Sequence, residues 1–332
     1  MTPGTFAIPL SVENAEWAVA QACLAPSLHN TQPWRFTWDG SAYELFADTS
    51  RGLIASDPDG RELVISCGAA LFNLRVALRK LGFDSQVDVL PSRANPRLLA
   101  RVTVSEATPA DPEDRRTFAA MVRRHTHRGA FDDLVLAPQI AVHLQRAAEL
   151  EGTQLVFVAD PGQRRRLLSL ARAGERALEH DLDVQAELNE WTPAPGSRRA
   201  DGIPVMAYAA EPLVGADELA PRDFDRGRGI GAAESVTNTP GLVAVLVTDG
   251  DLQDDWLAAG QALEHVLVRA AAQGVFAAMH SQATEVPNLR SELRRELRTS
   301  GHPQILLRFG YSDDVQHTPR RPIEDVFELA ER

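Results

Sequence analysis

A chain of 332 residues, 44% hydrophobic and 24% charged, has room for two lobes or one large pseudo-symmetric unit, and its composition excludes disorder and fibrous repeats. Its formal charge of -12 repels nucleic acid and anionic membrane surfaces alike, so neither is expected as a partner, and any bound anion must meet a local basic cluster. The longest apolar runs, Leu242–Val247 and Ile305–Leu307, are strand-sized rather than bilayer-sized, and residues 1–10 lack a basic-then-apolar signal pattern. The cytoplasm is the expected compartment. Two cysteines agree with it, Cys67 on the apolar stripe of a predicted helix and Cys23 near the end of another, both read as buried packing rather than reactive thiols.

In chain order, Ser11 caps a helix with Trp17, Ala20 and Leu24 at helical spacing, stopped before Pro26. A loop, Pro26–Pro33, leads to strands at Arg35–Trp38 and Ala42–Phe46 around the Asp39-Gly40 turn. Val64, Cys67, Leu71, Leu74, Leu78 and Leu81 hold a helical stripe from Arg61 to Leu81, and Gly82 stops it. Strands follow at Gln86–Leu90 and Ala100–Val104, then a helix opened by Asp111 and Pro112 that runs through Met121–Arg124.

A second cycle reads as a helix at Pro138–Leu150, a strand at Leu155–Ala159 and a helix from Pro161 to about Trp191. It continues with a strand at Leu242–Thr248, a helix at Asp254–Gln273, a short helix at Pro287–Leu297 and a strand at Gln304–Phe309. Gly68, Ala70, Leu71, Leu74 and Gly82 match Gly260, Ala262, Leu263, Val266 and Gly274 at one constant offset. With the repeated element order, this pattern predicts an internally duplicated α+β chain, with a first half at 1–120 and a second at 121–332. Residues 192–240, rich in glycine and proline and without apolar periodicity, read as either a lid or a solvated insertion.

Three segments concentrate chemistry. Ala25-Pro26-Ser27-Leu28-His29-Asn30-Thr31-Gln32-Pro33-Trp34 is a rigid polar loop, in which Ser27, Asn30 and Gln32 suit a flat heteroaromatic ligand with alternating donors and acceptors. A self-satisfied turn explains these residues equally well. Arg123-Arg124-His125-Thr126-His127-Arg128 places guanidinium groups and a hydroxyl at alternate positions, which in an extended segment share one face and can converge on a phosphate. Alone, such a run is more often a solvated helix end. The third segment is Thr318-Pro319-Arg320-Arg321-Pro322. His125 and His127 resemble half of a metal site but lack acidic or cysteine partners at useful spacing, so no metal is expected. Gly227-x-Gly229-x-Gly231 has neither the spacing nor the preceding strand of a phosphate loop.

The loop resembles the APSxxNxQPW signature of the flavin-dependent nitroreductase family, and the chain is most similar to its actinobacterial Acg branch, including Trp191-Thr192, Asp201-Gly202-Ile203-Pro204 and the Pro-Arg-Arg-Pro tail. The resemblance implies a nitroreductase-like fold whose two fused halves mimic a homodimer, so that the chain is a monomer. It implies FMN, approached at its ring by Pro26, Ser27, Asn30 and Gln32. Arg124, His125, Thr126 and Arg128 are implied at the phosphate and ribityl, joined there by Arg320 or Arg321. Met279, His280, Ser281 and Gln282 are implied along the flavin near its reactive nitrogen, though there the sequence departs from the family pattern. Only one complete set of motifs exists, which implies one FMN per chain.

Two functions follow from the resemblance. The first is an FMN-dependent oxidoreductase, in which NAD(P)H reduces the flavin and a small electron-poor acceptor, a nitroaromatic or a quinone, takes its place. The alternative is a protein that sequesters FMN beneath a lid formed by residues 192–240.

Overall fold

The computed structural model describes residues 10–106, 109–129, 131–208, 219, 222–231, 241–313 and 317–330. Helix α1 (Val12–Ala22) starts where Ser11 Oγ accepts the Asn14 N–H at 3.2 Å. Strands β1 (Trp34–Trp38) and β2 (Ala42–Ala47) close over a turn held by Asp39, whose Oδ1 accepts from the Ser41 and Ala42 N–H groups at 2.8 Å. Helix α2 (Arg61–Leu81) occupies its predicted span, and Gly82, at φ +87°, ends it. Strands β3 (Phe83–Val89) and β4 (Leu98–Glu106) are longer than predicted, and α3 (Pro112–Arg123) opens on a reciprocal Asp111–Asp114 cap.

The second stretch runs α4 (Pro138–Leu150), β5 (Gln154–Phe157), α5 (Pro161–Glu179), α6 (Leu182–Glu190), β6 (Leu242–Thr248) and α7 (Gln253–Ala271). After these come β7 (Val275–His280), α8 (Gln282–Glu285), α9 (Pro287–Leu297), β8 (His302–Tyr311) and β9 (Phe327–Leu329). One predicted element is corrected here: the helix expected from Pro161 to about Trp191 is two. Asp181 breaks it, because its side chain accepts from the Asp183 and Val184 N–H groups at 3.0 and 3.2 Å and caps a new helix instead of continuing the old one.

Among the described residues the strands form two sheets, ordered β3-β4-β2-β1-β9 and β7-β8-β6-β5. The first four strands of each are all antiparallel neighbours, and in each the long helix (α2 or α7) follows the equivalent inner strand, β2 or β6. The first sheet gains β9, which lies parallel to β1 with Phe36 opposite Phe327. Helices α2 and α7 meet at the two glycines matched in sequence. A Cβ on Gly260 would strike the Ile65 carbonyl oxygen and lie 2.7 Å from Gly68 Cα, and one on Gly68 would lie 2.9 Å from Gly260 Cα. The helices therefore touch backbone to backbone.

Packing explains why some strands do not alternate. In β6 and β8, Ala244, Leu246, Ile305 and Leu307 pack toward α4 and α7, while Val243, Val245, Val247 and Leu306 pack toward α5 and α9. With both faces covered, a strand reads as one apolar run. Both cysteine thiols are buried and free, and burial pushes Cys23 up to about 11 and raises Cys67 as well, so neither is a thiolate at neutral pH. No described helix is long and apolar enough to cross a membrane.

Candidate functional site

Loop 26–30, the first turns of α2 and the end of β7 surround a cleft of about 990 Å³, measured out to its mouth. The arginine-rich segment reaches it because it runs beside β7: Thr126 bridges Ala277 in parallel fashion and the His127 N–H donates to the Ala277 carbonyl at 3.0 Å. The segment is thus extended, as its alternation requires. A narrow polar pocket opens from the cleft, sharing Pro26, Ser27, Thr126 and Arg128 with it and adding Asn30, Arg124, His125, His317, Thr318 and Arg320. One end of the composite groove is broad and apolar, the other narrow and basic.

The three arginines at the narrow end differ in what they have left to give. Arg320 spends its N–H groups on carbonyls: Nε donates to Cys23 at 2.7 Å, Nη2 to Leu24 at 2.9 Å and Ala25 at 3.2 Å, and Nη1 to Thr318 and Pro319 at 3.0 Å. It caps the end of α1, and burial with the neighbouring Arg124 charge pushes it down to about 9. Arg124 lies 3.1 Å from Glu264, fully buried on α7, and donates to the Leu24 carbonyl at 2.8 Å. Burial raises Glu264 to about 7 against the pull of Arg124. Arg128 has no hydrogen bond or carboxylate partner among the described residues, and burial with the Arg124 charge pushes it down to about 10. A desolvated guanidinium with all its donors open is an anion site.

The loop residues behave differently from a ligand-facing set. Gln32 Nε2 donates to the Ala200 carbonyl at 2.8 Å, and its Oε1 accepts the Arg321 N–H at 2.8 Å. Arg321 in turn donates to the Gln32 carbonyl at 3.0 Å and to Asp325, so Gln32 and Arg321 hold the loop to residues 317–330 and line neither the cleft nor the pocket. Asn30 lines the pocket, yet its amide donates to Gly202 at 3.0 Å and Pro319 at 3.1 Å and its Oδ1 accepts from Arg320. Ser27 Oγ accepts the Gln32 N–H at 2.9 Å. His29, Asn30 and Gln32 all hold positive φ, near 50°, a strained conformation kept in place by those bonds. Pro26, Ser27, Met279, His280, Ser281 and Gln282 do line the cleft.

Several cleft residues escaped the sequence reading. Glu62 on the first turn of α2, His29, Ser66 and His127 line it, and so do Ile203, Tyr208, Arg222 and Phe224 from the 192–240 stretch. Glu62 gave no signal because an acid in a helix's first turn ordinarily reads as a dipole partner. Arg222 was invisible because its partners are distant in sequence: it donates through Nη2 to both Glu285 oxygens at 2.6 Å, and Nη1 lies 3.1 Å from His29 Nε2. Burial and the Arg222 and Arg128 charges hold His29 well below its usual range, so it is neutral. Ile203, Tyr208 and Phe224 cluster with Leu188 and Ala207 over the cleft. At Gly202 close packing excludes a side chain, since a Cβ there would sit 2.8 Å from the Trp191 carbonyl oxygen. Asp225 accepts from the N–H groups of Gly229, Ile230 and Gly231 at 2.5 to 2.9 Å, which fixes the glycine cluster as a tight turn. Residues 209–218, 220–221 and 232–240 of the stretch lie outside those described. No group of three or more metal-ligating side chains converges among the described residues. His125 packs on Phe276 with ring centroids 4.2 Å apart, and His127 on Phe131 at 4.5 Å.

No family model matches the chain. A solved nitroreductase with bound FMN from Desulfitobacterium hafniense aligns with a TM-score of 0.40 and 11% identity, over 65% of this chain and 98% of its own. Among curated proteins, a Mycobacterium tuberculosis protein provisionally named an NAD(P)H nitroreductase is 33% identical over 330 residues, 96% of this chain and 92% of the relative. The acg protein of the same organism, under the same provisional name, is 30% identical over 94% of each chain, and an uncharacterized protein there is 30% identical over 94% of this chain and 92% of its own. Identity of this depth, sustained across almost the full length of both partners, means that the chain belongs to the acg-type nitroreductase-like family.

Proposed function

We propose that the chain binds one FMN in the composite groove and works as an FMN-dependent NAD(P)H oxidoreductase of nitroreductase type on small electron-poor acceptors such as nitroaromatics and quinones. The observation that carries this reading is Arg128: a half-buried guanidinium without a partner among the described residues, beside the Thr126 hydroxyl and at the junction of a broad apolar cleft with a narrow basic pocket. That donor set fits a phosphate monoester joined to a flat ring. Arg128 and Thr126 would take the phosphate while Arg124 and Arg320 shape the pocket and add positive potential. Pro26, Leu28, Ile65, Leu263 and Met279 supply apolar walls for the ring. When bound, the flavin supplies the hydride chemistry, and the protein's part is to orient it, exclude water and set the local charge. The purified chain is expected to be yellow, to hold one FMN per polypeptide, and to run as a monomer by light scattering; two flavins per chain would contradict the single-groove reading.

A second reading, FMN sequestration beneath a lid, is favoured by one observation: Ile203, Tyr208, Arg222 and Phe224 wall the cleft, and Arg222 is latched to Glu285 with both side chains buried. Arg222→Ala removes the latch. If the lid restrains access, this variant, loaded with FMN, oxidises NAD(P)H several-fold faster than the parent chain. Equal rates in the two proteins mean the latch does not gate the flavin.

A further inference from the structure

Between the cleft and the outer surface lies a cluster with more acids than bases. Asp57 precedes α2, Glu62 sits on its first turn, Glu175 comes from α5 and Glu285 from α8. Against these carboxylates stand two guanidinium groups, Arg61 on α2 and Arg222 above the cleft, while His29 is neutral. Their side chains are largely or fully withdrawn from water, with Arg61 and Glu62 at 7% and 6% exposure and Arg222 and Glu285 at 7% and 0%. Four carboxylates facing two cations in a largely dehydrated cluster repel one another, which favours keeping a proton on one of them.

Geometry selects the group that carries it toward the cleft. Glu285 is held by both Arg222 contacts, while burial raises Glu175 and Asp57 but each accepts a backbone N–H that opposes it, Glu175 from Asp223 at 3.1 Å and Asp57 from Leu63 at 2.9 Å. Glu62 takes a single hydrogen bond, from Arg61 Nη2 to Oε1 at 2.6 Å, and among the described residues its Oε2 has none. Of the four, Glu62 lines the cleft. Burial, with Glu285 and Asp57 adding to it against Arg61, pushes Glu62 up to about 8. On the far side, Asp57, Arg61 and Glu285 line a second cavity of about 1630 Å³, measured like the cleft out to its mouth, between the α2 approach and α9, so the cluster spans from cleft to outer cavity.

We propose that Glu62 is the proton-donating residue of the closed cleft. This rests on the oxidoreductase reading above. As an acceptor such as a quinone gains a hydride from the reduced cofactor, the Glu62 O–H bond breaks, its proton passes to the acceptor's oxygen, and the bonding pair stays on the carboxylate. Arg61 holds that carboxylate until water in the outer cavity returns a proton through Asp57 or Glu285. The acceptor is thereby reduced by one hydride and one proton, and the cofactor returns to its oxidised form.

Glu62→Gln keeps the shape and removes the acid, in a cluster already rich in acids, so it is expected to fold. Infrared spectroscopy of the cofactor-free protein is expected to show two protonated-carboxyl stretching bands, one from Glu264 that fades near pH 7 and persists in Glu62→Gln, and one that fades near pH 8 and is absent from that variant. In rapid mixing of the pre-reduced, FMN-loaded protein with a benzoquinone, the parent's rate is expected to fall above the same pH. The variant is expected to be slower at pH 7 by roughly a hundredfold and flat with pH. A band fading near pH 8 that survives in the variant, or a variant that keeps the parent's rate and profile, overturns the proposal while leaving FMN binding intact. A chain that binds no flavin overturns both readings together.

Discussion

Gly260→Val is expected to destabilise the protein severely. The added side chain would occupy space already filled by the Ile65 carbonyl and Gly68 Cα, and both are backbone, so no rotamer change relieves the clash. Overpacking of this kind costs about 1–3 kcal/mol and more where helices must separate. The variant should unfold at lower denaturant concentration than the parent, with its midpoint read by circular dichroism. Gly196→Ala is the control: unlike the helical Gly260 it sits at positive φ, +76°, but nothing lies within 4 Å of its would-be Cβ, so only the backbone cost of about 1 kcal/mol applies. Equal losses in the two would mean that the α2–α7 contact does not hold the molecule together.

Arg128→Ala is expected to weaken FMN by about ten- to a hundredfold, the worth of a charge-assisted contact of roughly 1.5–3 kcal/mol, and to leave riboflavin almost unaffected. A second effect runs the other way. The folded pKa of Arg128 lies below its unfolded value, at about 10, so at every pH below that the folded, cofactor-free protein carries a desolvated charge and the full penalty for it; the penalty lifts only as the pH rises past 10. Removing the guanidinium should therefore stabilise the cofactor-free chain at pH 7, on the order of 1 kcal/mol, measured by thermal melting in phosphate-free buffer. Titration calorimetry with FMN and riboflavin gives the first result. Parallel losses for both ligands, or a less stable cofactor-free variant, would assign Arg128 to the fold instead.

These contrasts show where the sequence was legible. Helix α2 was readable residue for residue because its stripe is long and Gly82 ends it in a conformation glycine favours. Strand β7 was not, because Ala277 and Ala278 are both buried and leave no alternation to detect, and β9 is too short for any period. At the site, alternation showed only what the arginine segment could do if extended, and the family resemblance, not the pattern alone, pointed it at a phosphate. Which arginine remains open was not, since Glu264, the partner of Arg124, lies 140 residues away on α7, and the carbonyls taken by Arg320 belong to the end of α1. The same holds for Asn30 and Gln32, whose composition suits a ligand and whose bonds go to residues 200–202 and 319–321. Composition identifies the groups that can bind, and only the fold shows which are already occupied.

Strand β9 has a consequence for how the protein is made. Its pairing with β1 joins residues 36–38 to 327–329, and on the way the chain delivers Arg320 to the mouth of α1. At a synthesis rate of about 5–20 residues per second, β1 leaves the ribosome roughly 15–60 s before its neighbour exists. Throughout that interval the nascent sheet presents a bare edge, the arrangement most prone to pairing with another chain. Because the same late segment walls the basic pocket with His317, Thr318 and Arg320, sheet closure and completion of the pocket fall in one step. Any partner that shields the nascent chain must release it at the moment the anion site is finished.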